Sequence, residues 1–467
     1  MQNRITSHPS TPLPVRRTAP ATKARTLLLL GFLLALLGLP ARGQYHTWTV
    51  PTSNVRDGWA PKQPKVVAGK DGNTYVLTPI DSTFTVGGTT FTPQGNGDLL
   101  VINYKADGTV GWARQIASTV AGYPGDIGLN PANSLLYVAG AFSKTVKFPK
   151  ADGSAATEFT GTGVWNGFVA QYDLAGNFQW ARHLSSPTSM SVKGLDVDAN
   201  DRVYLVGDFG GTASFPGSAP TLTGTGEHDI YLARYGKTGL LELARRLEAG
   251  PGWNLGNAIA VNPQNGDIYL TGGYGVPGVG SMPTFWYSKV LVACYNAQGT
   301  LQWSKSYGTS SRHNEGSDIV ATAQGIYVTG NFFGSIAFGA TALTSNGIGD
   351  VFVAYYPYAL NGGVEWVRQY GGSAQEFAGS LAYRAWDNGP GGDLYVTGSF
   401  YGTATFGNTI LSNPNNVNER EVFLAHLTPG GTPDWARKIG GAGTDIAGNI
   451  SLSGSSTLFV TAYHHKP

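Results

Sequence analysis

A repeat spacing of about 64 residues constrains this chain more than any other feature of it. The phrase "GGDLYVTGSFYGTATFG" from Gly391 returns as "QGIYVTGNFFGSIAFG" from Gln324, with glycines and aromatics in step. Its core occurs in seven versions, carried by Tyr75, Tyr137, Tyr204, Tyr269, Tyr327, Tyr395 and Phe459, at gaps of 62, 67, 65, 58, 68 and 64 residues. A period of this length means that each repeat is one supersecondary unit that cannot bury its own apolar faces, so the units must stack.

A second phrase follows each of the first six and reads strand, glycine turn, strand, as in "VAQYDLAGNFQWAR". The turn glycine (Gly108, Gly176, Gly239, Gly299, Gly362, Gly431) lies four residues before a large apolar anchor: Trp112, Trp180, Leu243, Trp303, Trp366, Trp435. Glycine enters left-handed backbone without steric cost, and tryptophan brings a large surface to bury. Ahead of the first phrase a further strand is entered from a loop glycine (Gly125, Gly194, Gly256, Gly316, Gly379, Gly448) and joined to it by Asn/Asp/Gly turn chemistry.

Four antiparallel strands per period predict an all-β chain, a β-propeller of about seven four-stranded blades. The blades are expected at 65–118, 123–186, 190–250, 253–308, 313–372, 376–441 and, in part, 445–467. The last is short, and residues 44–64 are expected to help close it: "YHTWTVP" as the outer strand, with Trp48 in the tryptophan slot.

The units "GDLYVTGSF", "ATFGNTILS", "EREVFLAHL" and "PDWARKIGG" resemble the bacterial SBBP repeat, named for a seven-bladed β-propeller, and similar units cover residues 65–467. The resemblance implies the fold and an exported or surface-associated protein; it brings no catalytic residues. Many such proteins end in a sorting domain, whereas this sequence ends at "VTAYHHKP", so the resemblance does not extend to surface attachment.

Residues 1–43 read as a signal peptide: Arg16, Arg17, Lys23 and Arg25 precede a 13-residue apolar run, Leu27 to Leu39, too short to span a bilayer. Ala41 and Gly43 are placed for cleavage before Gln44, and the expected location is extracellular, cell-surface or periplasmic. Removing the segment takes away six of the 31 Lys+Arg and no Asp or Glu, leaving 25 − 29 = −4. A mildly acidic chain lacks the basic footprint of a nucleic-acid partner. Its single cysteine, Cys294, excludes an internal disulfide and is expected to be a tolerated buried thiol.

No serine elbow, phosphate loop, HExxH or Cys/His cluster is present, so neither a metal nor another cofactor is expected. "DVDAND" (Asp196–Asp201) resembles the start of a calcium loop but carries Asp201 where that turn requires glycine, and ordinary turn chemistry is the expectation. Three residues ahead of each loop glycine the occupants vary, with Trp253, His313, Glu376 and Asp445 among them. Placed at one mouth of the channel, they are candidates for ligand binding, as is the aromatic run Phe285, Trp286, Tyr287. The resulting expectation is a monomeric, non-enzymatic propeller presenting loops to a carbohydrate or a cell-surface protein. Two alternatives stand beside it: a polysaccharide hydrolase or lyase, favoured if His313, Glu376 and Asp445 converge, and a structural or adhesive repeat.

Overall fold

A computed structural model describes residues 31–37, 45–50 and 63–465, except 151, 153, 217–220, 248–251, 276–286, 310–311, 388–390, 414–417 and 455–456. The protein is all-β, with one 3-10 turn at Tyr358–Leu360. Its main strands form seven antiparallel sheets of four or more strands, in a propeller-like arrangement. Sheet five is representative: Glu315–Ala321 innermost, then Gly325–Phe332, Asp350–Pro357 and Trp366–Tyr370. The other inner strands are Lys65–Ala68, Ala121–Leu129, Gly194–Val197, Leu255–Val261, Glu376–Ala385 and Thr444–Ser453.

Burial explains why the phrases recur. The second strand of sheet five, "GIYVTGNF", is buried at every position, as a strand covered on both faces must be, whereas the outer strand Leu301–Tyr307 of sheet four is mostly exposed. The apolar core is divided accordingly, with clusters lying between consecutive sheets; one joins Tyr75, Leu77 and Val101 of sheet one to Leu136, Val138 and Phe168 of sheet two.

The glycine–tryptophan phrase has a second cause that only the packing reveals. Gly176 of sheet two lies against Trp112 of sheet one, so closely that a Cβ would stand 2.7 Å from the indole, and Gly362 repeats this on Trp303. The Trp112 indole N–H donates to Leu174 O at 2.9 Å and Arg114 Nε donates to Gly176 O at 3.0 Å, which hooks the outer strand of sheet one to the next sheet's turn. Trp180 and Arg182 do the same to Lys237 O and Gly239 O.

The last sheet joins the first across nearly the whole chain. Asn449 accepts from Val66 N at 2.6 Å and donates to Val66 O at 3.0 Å, and Ser453 Oγ donates to Gly69 O at 2.8 Å. Sheet seven itself is composite: Thr444–Ser453 and Thr457–His465 are followed outward by Gly31–Leu37 and then Tyr45–Val50. Tyr45–Val50 thus takes the outer place, but its register corrects the expectation for Trp48. Elsewhere the slot aligns the second-strand tyrosine, a third-strand residue and tryptophan, as in Tyr269, Cys294 and Trp303; here Phe459 aligns with Ala35 and His46. Trp48 pairs with Leu33, two places away, because a strand's register is set by the edge it pairs with. The third strand comes from the run read as the signal-peptide core, so cleavage before Gln44 would take it out of the sheet.

Candidate functional site

The loop residues expected at a channel mouth lie between sheets instead. Parallel bridges pair His228 with Trp253, Ser288 with His313 and Gly349 with Gln375, drawing each entering segment against the third strand of the preceding sheet. Trp253 is half-buried and stacked on His228 at 3.7 Å between ring centroids. His313 stands 3.5 Å from Glu315 and edge-on to Phe333. Glu376 and Asp445 are both 1% exposed; Glu376 accepts from Gly372 N at 3.0 Å, while Asp445 meets His464 Nδ1 at 2.6 Å and accepts from Gly441 N at 3.0 Å.

His313, Glu376 and Asp445 have separate partners; Glu376 and Asp445 are buried rather than presented, while Trp253 and His313 stay partly exposed. Phe285 and Trp286 lie outside the described residues; Tyr287 is half-buried just before the third strand of sheet four. Asp198 accepts from Asn200 N and Arg202 N at 2.9 and 3.0 Å, and Asp201 occupies left-handed backbone at φ 61°, so "DVDAND" is a turn. Cys294 is buried, and burial pushes its thiol up to about 12.

What the inner strands do bring together is an axial cavity of about 760 Å³, walled by all seven sheets. Its polar lining includes Lys65, Asp126, Lys193, Asp196, Asn257 and Asp318. A register shift opposite Ala139/Gly140 and another at Gly316/Asp318 accompany two of these acids, and such bulges re-aim side chains. Gly125 must remain glycine in this geometry, since a Cβ would meet Val192 O at 2.2 Å.

Each acid also clips its sheet to the next. Asp126 accepts from Ile127 N at 2.9 Å and from Leu195 N at 3.0 Å; Asp196 accepts from Val197 N and Val261 N, both at 2.8 Å. Asp318 accepts from Ile319 N and Leu381 N at 2.8 Å and from Ser380 Oγ at 2.7 Å. Burial between the sheets pushes Asp126 up to about 6 against the pull of Lys65 and its backbone donors, and pushes Asp196 up to about 6 as well. Asp318 is raised for the same reason. Lys193 is anchored by Asp208 at 2.7 Å. Among the described residues, no group of three or more His, Cys, Asp or Glu is placed to hold a metal ion.

These acids were readable as a pattern, although sequence reasoning passed over Asp126 and Asp318 and read Asp196 only as part of a turn. A polar residue stands one or two places after the loop glycine in six repeats: Asp126, Asp196, Asn257, Asp318, Ser380 and Asn449.

No family model matches the chain, and the resemblance to the SBBP repeat rests on the quoted residues alone. The chain is 23% identical over 393 residues to an uncharacterized WD repeat-containing protein, L264, of Acanthamoeba polyphaga mimivirus, spanning 68% of this chain and 27% of that protein. Similar solved structures include a chimera of apocarotenoid oxygenase and RPE65, at TM-score 0.44 and 10% identity over 88% of this chain and 90% of that one. A mutant of Synechocystis apocarotenoid oxygenase scores 0.45 at 9% identity over 92% of each chain.

The expectation of a non-enzymatic propeller presenting loops to a ligand is corrected at this point. The similar solved chains are named as oxygenases. Glu376 and Asp445, two of the residues chosen for display, are buried in seams. At these identities and scores the likeness assigns no activity or substrate to this chain.

Proposed function

We propose that the seven sheets close as a seven-bladed β-propeller whose axial cavity carries out acid–base chemistry on a small polar molecule. One observation carries the reading: Asp126 and Asp196, both raised to about 6, face a cavity of about 760 Å³ that also holds Lys65 and Lys193. A carboxyl near 6 both gives and takes a proton close to neutral pH, and perturbed acids in a cleft of ligand size mark a functional site. Asp126 and Asp196 would move the proton, while Lys65 and Lys193 would hold negative charge on the substrate. The hydrogen bonds joining sheet seven to sheet one support the closed ring.

Carbon-13 carboxyl NMR across pH 3 to 9 tests this poise, with Asp126→Asn and Asp196→Asn assigning the signals. Midpoints between about 5 and 7 are expected, and midpoints near the ordinary value of about 3.9 overturn the proposal. In a turnover screen of small polyhydroxylated compounds at pH 6, each Asn variant should lose at least about 100-fold in rate.

Export remains a proposal supported by residues 1–43, and the mass of the mature chain tests it. A chain beginning at Gln44 supports export and requires another strand beside Thr457–His465; a retained N-terminus overturns it.

A further inference from the structure

The inner hairpin of sheet six breaks the repeat. Elsewhere the inner strand turns into the second through short Asn/Asp/Gly or Thr-containing sequences, but here "RAWDNGPGGDLY" inserts Trp386. Trp386 is 45% exposed, and it is the one aromatic among the large exposed apolar side chains of the described residues. It is nonetheless held in place. Its indole N–H donates to Asp393 Oδ1 at 3.1 Å, its backbone N–H donates to Gly391 O at 3.1 Å, and Arg384 Nε donates to Asp393 Oδ2 at 2.9 Å. Gly391, at φ +128°, lies against the ring, where a Cβ would stand 2.9 Å from the indole.

The ring is thus pinned at one edge and backed by Gly391, beside a cavity of about 950 Å³ whose rim also carries Lys70, Asn133, Arg384 and Asp387. That cavity adjoins the axial one, since Val67, Leu129, Pro131 and Ser451 line both.

An exposed, preorganised aromatic face ringed by hydrogen-bonding side chains suits a molecule with an apolar face and a polar perimeter. We propose that Trp386 is the stacking platform of a saccharide subsite at the mouth of the axial cavity, seating one pyranose ring of a substrate that extends toward Asp126 and Asp196. This inference rests on the acid–base reading for the direction in which the substrate runs, but the platform is testable without it.

Calorimetry on the full chain with cellohexaose, maltohexaose and chitohexaose provides the test. At least one probe should bind, with Trp386→Ala weakening it at least about tenfold and Trp386→Phe staying within about threefold. Asp393→Asn should fall between the two, because it frees the ring without removing it. The acid–base reading is scored by turnover in Asp126→Asn and Asp196→Asn and the platform by binding in Trp386→Ala, so the two failures are read separately. Trp386→Ala is expected to keep its melting temperature, its side chain being exposed. No binding of any of the three probes at about 5 mM, or unchanged binding by a folded Trp386→Ala, overturns the subsite.

Discussion

Two seams at the same repeat position neutralise a pair of buried acids in different ways. Between sheets five and six, Asp350 at the start of the third strand faces Glu376 at the start of the next inner strand, and no charged group other than the two carboxyls is recorded against either. Asp350 Oδ1 and Glu376 Oε1 are buried with no donor from a third residue, and the two carboxyls hydrogen-bond to each other. Between sheets six and seven the same places hold Glu421 and Asp445, with Lys438 Nζ 2.9 Å from Glu421 and His464 Nδ1 2.6 Å from Asp445. Burial, then the charge of Asp350, pushes Glu376 up to about 8, so the first seam keeps a proton at neutral pH. Burial also raises Glu421 and Asp445, and there the cationic partners pull the other way. A stacked ring can therefore use one geometry with two kinds of counter-charge, a proton or a side chain, with opposite consequences for substitution.

The largest test of this equivalence is steric. Gly440 and Gly371 back the two pairs: a Cβ at Gly440 would stand 2.0 Å from Glu421 Oε2 and 2.4 Å from Asp445 Oδ2, and one at Gly371 would stand 2.5 Å from Glu376 Oε2. Gly440 also sits at φ +143°. Gly440→Ala is expected to lose about 3 kcal/mol or more in denaturant unfolding, and Gly371→Ala about 1–3 kcal/mol. Equal, small losses would mean the two seats are not tightly packed.

The sign of the next effect separates the seams. Glu376 has a folded value of about 8 against an ordinary 4.5, so the native state binds the extra proton and stability falls as pH rises from about 4.5 to about 8. Glu376→Gln removes that slope and should stabilise the protein by about 2–4 kcal/mol at pH 9, with little change at pH 4. Glu421→Gln instead strips Lys438 of its partner and should destabilise by about 1–2 kcal/mol at pH 7. Matching signs at pH 9 would break the comparison. The smallest effect belongs to Lys438→Met, about 1 kcal/mol or less, because the lysine side chain is 35% exposed and screened by solvent. Its loss should shrink in high salt, whereas the gain in Glu376→Gln should not.

Much of the architecture was legible because it is local. The turn glycines announced themselves by spacing, and Gly108, Gly176 and Gly431 adopt positive φ as the turn chemistry required. The functional residues were less legible for a physical reason. Glu376 and Asp445 look like presented loop acids when read along the chain, yet glycine seats under both, and a parallel bridge beside Glu376, tuck them into seams. Asp126, Asp196 and Asp318 look like isolated polar residues in strands, and only the stacking turns them toward one cavity.

The sequence by itself determined the repeat, the strand and turn pattern within each unit and the need for the units to stack, since these follow from periodicity, burial of both strand faces and the backbone freedom of glycine. The tertiary structure alone decided which side chains meet across the seams, why the turn glycine must also clear the preceding tryptophan, and that His46 rather than Trp48 stands at the last register position. Those contacts join residues some 60 or more positions apart, and their identity depends on register between sheets, which no local pattern encodes.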